Sequence, residues 1–134
     1  MSVQKVSAAG TSIWLDDLSR AKITSTEAHA LPARIKNSGV VGVTTNPSIF
    51  SAAISDAAEY AADIAAMKST TVDEVVKKLT TDDVRQACDL FTSLYQATHG
   101  VDGRVSIEVD PRLAHDTEGT IAAGKDRKST RLNS

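Results

Sequence analysis

The stretch Val40-Val41-Gly42-Val43-Thr44-Thr45-Asn46-Pro47-Ser48 decides how this chain is read. Val40 to Val43 is a short, β-branched apolar run of the kind that forms a strand buried on both faces. It passes directly into Thr-Thr-Asn, three small side chains with hydrogen-bonding tips, and Pro47 then stops the strand. An apolar run that ends in convergent polar groups is the pattern of a barrel strand whose C-terminal end opens into an active site. The pattern recurs twice. Ser12-Ile13-Trp14-Leu15 runs into Asp16-Asp17, and Arg104-Val105-Ser106-Ile107 runs into Glu108-Val109-Asp110. Three strands, each with a polar group at its exit, imply one site assembled from strand ends.

Between these strands the chain reads as helical. Thr24-Ser25-Thr26-Glu27 has the spacing of a capping box and predicts a short helix to about Asn37, with Pro32 giving a late start or a kink. Gly39 marks the turn into the second strand. Ala-rich sequence after Pro47 predicts one or two helices ending near Lys68. Thr71-Val72-Asp73-Glu74 starts another, and Thr81-Asp82-Asp83-Val84 opens a third, with Val84, Cys88, Phe91, Leu94 and Tyr95 on one apolar stripe. Gly100 and Gly103 bracket the turn into the third strand, and a further helix starts near Asp116. Strand, helix, strand, several helices, strand, helix is the order of a parallel α/β protein with right-handed crossovers.

Composition narrows the class. The chain has 134 residues, enough for a real core, yet a complete eight-unit barrel takes about 250 residues. Hydrophobic content of 41% and charged content of 24% are ordinary for a globular protein. A net charge of −2 argues against non-specific nucleic-acid binding. The single Cys88 cannot form an internal disulfide and sits on the apolar stripe, which favours a core thiol and a reducing, cytoplasmic setting. No apolar stretch approaches the roughly 20 residues of a membrane span, and residues 1–10 lack the apolar centre of a signal peptide.

The segment Asp126-Arg127-Lys128-Ser129-Thr130-Arg131-Leu132-Asn133-Ser134 breaks with what precedes it. It is similar to the in-frame translation of a common sequencing adapter. We therefore expect residues 1–125 to be the N-terminal part of a longer protein and residues 126–134 to be a non-native read-through tail.

Trp14-Leu15-Asp16-Asp17, Val43-Thr44-Thr45-Asn46-Pro47-Ser48 and Gly103-Arg104-Val105-Ser106-Ile107-Glu108-Val109-Asp110, followed by Arg112-Leu113 and Asp116-Thr117, together resemble transaldolase. The likeness covers roughly residues 11 to 125. Trp-Leu-Asp-Asp-Leu-Ser-Arg is similar to the longer transaldolases of actinobacteria and cyanobacteria. The resemblance implies a (β/α)8 barrel, of which this chain would hold about the first three βα units. It also implies cytoplasmic carbohydrate chemistry without metal or organic cofactor. A dihydroxyacetone unit would pass from sedoheptulose 7-phosphate to glyceraldehyde 3-phosphate in the non-oxidative pentose phosphate pathway. A lysine on the fourth strand forms a Schiff base that serves as the electron sink.

By motif position the resemblance makes Asp16 the general base for carbon–carbon cleavage and the general acid in reverse. Glu108 would move protons through a water during imine formation and hydrolysis. Asn46 would bond the dihydroxyacetone end of the substrate, and Thr44 would support that network. The Schiff-base lysine is expected beyond this chain, so the chain alone is expected to be inactive. The partners implied are sugar phosphates, with no nucleic acid and no membrane; the oligomeric state stays open.

Each residue has a second reading. Asp16 also fits a helix cap, and Asp17 competes with it from the opposite side of the strand. Glu108 also fits a buried ion pair with Arg112 or Arg104. Asn46 also fits a turn before Pro47, and Thr44 an ordinary strand residue. Asp110, Arg112 and Asp116 read as structural charge pairs. Two further functions compete with transaldolase: a Schiff-base sugar-phosphate aldolase, and a non-catalytic α/β interaction module. The long helical segment between the second and third strands disfavours the compact aldolases.

Overall fold

The computed structural model describes residues 3–55 and 58–132. Its centre is a three-stranded parallel sheet in the order β1-β2-β3. The strands are β1 (Ile13–Asp16), β2 (Val40–Thr44) and β3 (Arg104–Val105). β1 aligns Asp16 with Thr44, and β3 aligns Arg104 with Gly42. The sheet is open, with β1 and β3 as its two edges.

Helices α1 (Val3–Ala8), α2 (Arg20–Thr24) and α3 (Leu31–Ser38) surround the first crossover. Between β2 and β3 run α4 (Pro47–Ser55), a 3-10 turn (Ala58–Tyr60), α5 (Ala61–Ala66), α6 (Val72–Leu90) and α7 (Thr92–Ala97). After a second 3-10 turn (Pro111–Leu113) comes α8 (Thr117–Leu132). The expected alternation of strands and helices is therefore present.

The core lies between one face of the sheet and the helices. Val40 and Val43 of β2 meet Leu18, Leu31, Phe50, Val84, Ala87, Cys88 and Phe91, with Ile13, Leu15, Val105 and Ile107 packed around them. Cys88 is a buried thiol, as its place on the stripe predicts. In β1 burial alternates, so that Ile13 and Leu15 turn toward the core while Trp14 and Asp16 are exposed.

Several local expectations need correction. The capping spacing at Thr24 is not used: Thr24 ends α2, and its hydroxyl donates back to the Arg20 carbonyl at 3.0 Å. The chain then bends through residues 25–30 before α3 starts at Leu31, the late start that Pro32 demands. Gly39 closes α3 in the left-handed conformation, φ 66°, which only glycine takes without cost. The complete capping box is at Thr71, whose hydroxyl accepts from the Glu74 amide while the Glu74 carboxylate accepts from the Thr71 amide.

No new helix opens at Thr81. α6 runs unbroken through it, because Thr80 and Thr81 turn their hydroxyls onto carbonyls one turn back instead of capping. The apolar stripe bends at Phe91, where α6 gives way to α7.

The third strand is also shorter than the expected 104–107. Its ladder ends after the Ser106 amide donates to the Val43 carbonyl at 2.9 Å. From there Thr45 takes over the pairing, its hydroxyl donating to the Ser106 carbonyl at 2.7 Å.

α8 continues without a break from Thr117 across the expected boundary at residue 126. Lys77 pairs with Asp126 at 2.6 Å. Asn133 and Ser134 lie outside the described residues, as do the side chains beyond Arg127.

Candidate active site at the strand ends

The four sequence-selected residues all lie at or just past the C-terminal ends of the strands. Asp16 closes β1 and Thr44 closes β2, and the parallel register sets them side by side. The Thr44 hydroxyl donates to Asp16 Oδ1 at 2.6 Å. Both share the sheet face of Trp14 and Gly42, opposite the helical core, as the alternation of side chains requires.

Asp17 points the other way, into an ion pair with Lys22 of α2. The two adjacent carboxylates are thus separated by the pleat: Asp16 is exposed at the strand mouth, and Asp17 is tied to a helix.

Asn46 does what its place before Pro47 suggests. Its side-chain carbonyl accepts from the Ile49 amide at 2.9 Å and caps α4. That bond uses the side-chain oxygen and not the amide NH2. Asn46 lines two cavities, one of about 430 Å3 shared with Glu108 and one of about 560 Å3 shared with Asp17, Lys22 and Tyr60. Asp16 and Thr44 line neither cavity, so the four residues form two pairs instead of one closed pocket.

Glu108 corrects an expectation. It is exposed, so the buried ion pair that is its second reading does not form. Neither proposed partner is directed at it. Arg112 pairs with Asp110 and with Asp73, and Arg104 donates to the Gly100 carbonyl at 2.7 Å and lies 5.6 Å from the Tyr95 ring centre.

Asp110 and Arg112 form a charge pair, as expected: the Arg112 side chain and amide hold the Asp110 carboxyl down to a pKa of about 2. Asp116 caps the start of α8 through the Gly119 amide, a cap where a charge pair was expected.

Two features were missed in the sequence. Thr45, only 2% exposed, stitches β2 to the chain beyond β3. The second is a buried cluster of Arg20, Tyr60 and Asp83. Asp83 is fully buried and accepts from Arg20 Nε at 3.0 Å and from the Tyr60 hydroxyl at 2.5 Å.

Burial pushes the Asp83 carboxyl up despite these two donors, and it pushes the Tyr60 phenol up together with the Asp83 bond. Burial works against the Arg20 charge, but bonds to Asp63 and Asp83 outweigh it and leave the guanidinium raised. The signal was present: Asp83 falls between Leu79 and Ala87 at spacings of four, a carboxylate on the core stripe of α6.

Among the described residues no group of three or more His, Cys, Asp or Glu is placed to hold a metal ion. Among them also, no helix is long and apolar enough to cross a membrane.

A parallel α/β sheet with polar groups at the exits of its strands is the arrangement of enzymes that build their sites on strand ends. Residues 13–127 match the model of the Transaldolase/Fructose-6-phosphate aldolase family, and the chain belongs to that family. The family implies a TIM barrel, of which the described sheet is an unclosed part.

The transaldolase of Kocuria rhizophila is 54% identical over 129 residues, 95% of this chain and 34% of its own length. The transaldolase of an Arthrobacter species is 57% identical over 124 residues, 91% of this chain and 33% of its own. Transaldolase 1 of Streptomyces avermitilis is 56% identical over 126 residues, 92% of this chain and 32% of its own. The chain therefore spans about a third of the length of the curated relatives it matches.

Proposed function

We propose that residues 1–125 are the N-terminal part of a transaldolase, its first three βα units, and that residues 126–134 are a non-native tail. The whole enzyme would transfer a dihydroxyacetone unit between sugar phosphates through a lysine Schiff base. The observation that carries this reading is the Thr44–Asp16 hydrogen bond of 2.6 Å at the ends of two paired parallel strands. It holds a carboxylate, oriented and exposed, where a barrel presents its catalytic groups.

In this role Asp16 takes the proton from the hydroxyl whose carbon becomes the aldehyde, and returns it in the acceptor half-reaction. Thr44 donates to the carboxylate and fixes its lone-pair direction. Asn46, its oxygen committed to α4, offers its NH2 to a substrate hydroxyl or carbonyl. Glu108, exposed and shared with Asn46 in one cavity, reaches the imine through a water.

None of the described lysines lies on a strand: Lys5, Lys22, Lys36, Lys77, Lys78, Lys125 and Lys128 are helical, and Lys68 lies in a turn. The Schiff-base lysine is therefore assigned to sequence outside this chain, and the chain alone is inactive.

The family description covers fructose-6-phosphate aldolases as well. The transaldolase names of the relatives and the long helical segment between β2 and β3 favour transfer over release. The test joins residues 1–125 to the downstream two-thirds of the Kocuria rhizophila relative and assays a ketose phosphate with and without an aldose phosphate. Turnover that requires the acceptor supports transaldolase, whereas free dihydroxyacetone without acceptor supports the aldolase.

A further inference from the structure

We propose that Arg20, Tyr60 and Asp83 act together as a positioning device for Asp16; this rests on the reading of Asp16 as the proton-transfer group. Among the described residues β2 is the strand that pairs with β1, and the chain leaving the C-terminal end of β1 turns directly into α2. That helix has five residues, too few to be stable by itself. Something must hold its first residue in place, and the buried cluster does.

The Arg20 backbone amide donates to the Tyr60 hydroxyl at 3.0 Å, and that hydroxyl donates to Asp83 at 2.5 Å. The Arg20 side chain donates to Asp83 at 3.0 Å, to Asp63 at 2.6 Å and to the Glu59 carbonyl at 3.1 Å. Its guanidinium carbon stands 4.4 Å from the centre of the Tyr60 ring. Main chain four residues from Asp16 is thereby bolted to α5, to the turn before it and to the middle of α6.

The Tyr60 hydroxyl and the Asp83 carboxylate are spent on Arg20 and on each other, and the two residues are 1% and 0% exposed, so they are not placed to bind a ligand. A buried ion pair is a weak source of net stability compared with apolar packing. What it supplies is a fixed direction for the chain leaving β1. Tyr60 also walls the cavity that Asp17, Lys22 and Asn46 line, on the helix side of β1.

The test uses Tyr60→Phe, which keeps the ring over Arg20 and removes only the hydroxyl. Amide exchange on the 134-residue chain should quicken about tenfold around Leu15 to Arg20, the fold-change of about one lost hydrogen bond. The amides of Gly103 and Ser106, bonded to β2 carbonyls, should keep their rates. Emission of Trp14, the single tryptophan and two residues from Asp16, should shift under native conditions. In the joined enzyme kcat per folded active site, counted by borohydride trapping of the imine, should fall about tenfold with KM nearly unchanged, whereas loss of stability alone lowers the number of trapped sites and leaves the per-site kcat at the wild-type value.

Equal exchange in both proteins, or uniformly fast exchange along the chain, overturns the proposal. A crippled Asp16→Asn enzyme beside an unaffected Tyr60→Phe enzyme overturns it too, and leaves the reading of Asp16 standing. A fully active Asp16→Asn enzyme overturns that reading, and with it the catalytic half of the proposal.

Discussion

The Trp14 indole occupies the space in which a side chain at Gly42 would stand: a Cβ built there would lie 2.5 Å from two of its ring carbons. The ring crosses from β1 to β2 on the face opposite the helical core, one pleat before Asp16 and Thr44. The glycine in the apolar run of β2 thus makes room for the tryptophan of β1, and the two pack together one pleat from the acid and its donor.

Gly42→Ala should therefore displace the indole and destabilise the chain by about 1–3 kcal/mol, the usual cost of overpacking. Trp14 emission reads the displacement, and chemical denaturation reads the cost. In a Trp14→Ala background the same glycine substitution should cost almost nothing, because the clashing ring is gone. A cost that is equal in both backgrounds would show that backbone conformation, and not the ring, demands glycine.

The two threonines with capping-box spacing should separate clearly. Thr71→Ala removes one half of a complete capping box on the longest helix and should cost about 1 kcal/mol. Thr24→Ala removes only an exposed bond back to a helix carbonyl and should cost less. Denaturation midpoints of the two variants make the comparison.

The Asp110–Arg112 pair makes stability depend on acid. Arg112 lowers the folded pKa of Asp110 to about 2, below its unfolded value. A depressed carboxylate contributes stability above its unfolded pKa and loses it as pH falls through the folded one. The difference in urea midpoint between the wild type and Asp110→Asn should be full above about pH 5, shrink below about pH 4 and vanish near the folded pKa. A difference constant across that window would mean that the ion pair adds nothing to folding.

The three strands and the faces of β1 were legible in the sequence, because the burial alternation of Ile13-Trp14-Leu15-Asp16 and the apolar run Val40 to Val43 are local patterns. The helix stops at Gly39 and the cap at Thr71 were legible for a similar local reason. Thr24 and Thr81 misled because a capping residue is defined by the backbone around it, and hydroxyls inside or at the end of a helix satisfy themselves on carbonyls one turn back. Glu108 was placed at a strand exit, but its exposure depends on how soon β3 ends, which Thr45 decides from another strand. The Arg20–Tyr60–Asp83 cluster joins residues 40 and 63 positions apart, a separation that no local pattern displays.

The account turns on Asp16, and the most direct measurement compares Asp16→Asn with Asp17→Asn in the enzyme joined to its downstream two-thirds. Steady-state turnover and borohydride trapping are read on both. Asp16→Asn should lose about two to four orders of magnitude in turnover, the span of a general acid–base group. It should still trap the imine, because lysine attack precedes the step that Asp16 serves. Asp17→Asn, which loses only a pair with Lys22, should stay within a few-fold of the wild type. A crippled Asp17→Asn beside a nearly normal Asp16→Asn would contradict the account, since the working carboxylate would then lie on the helix side of β1.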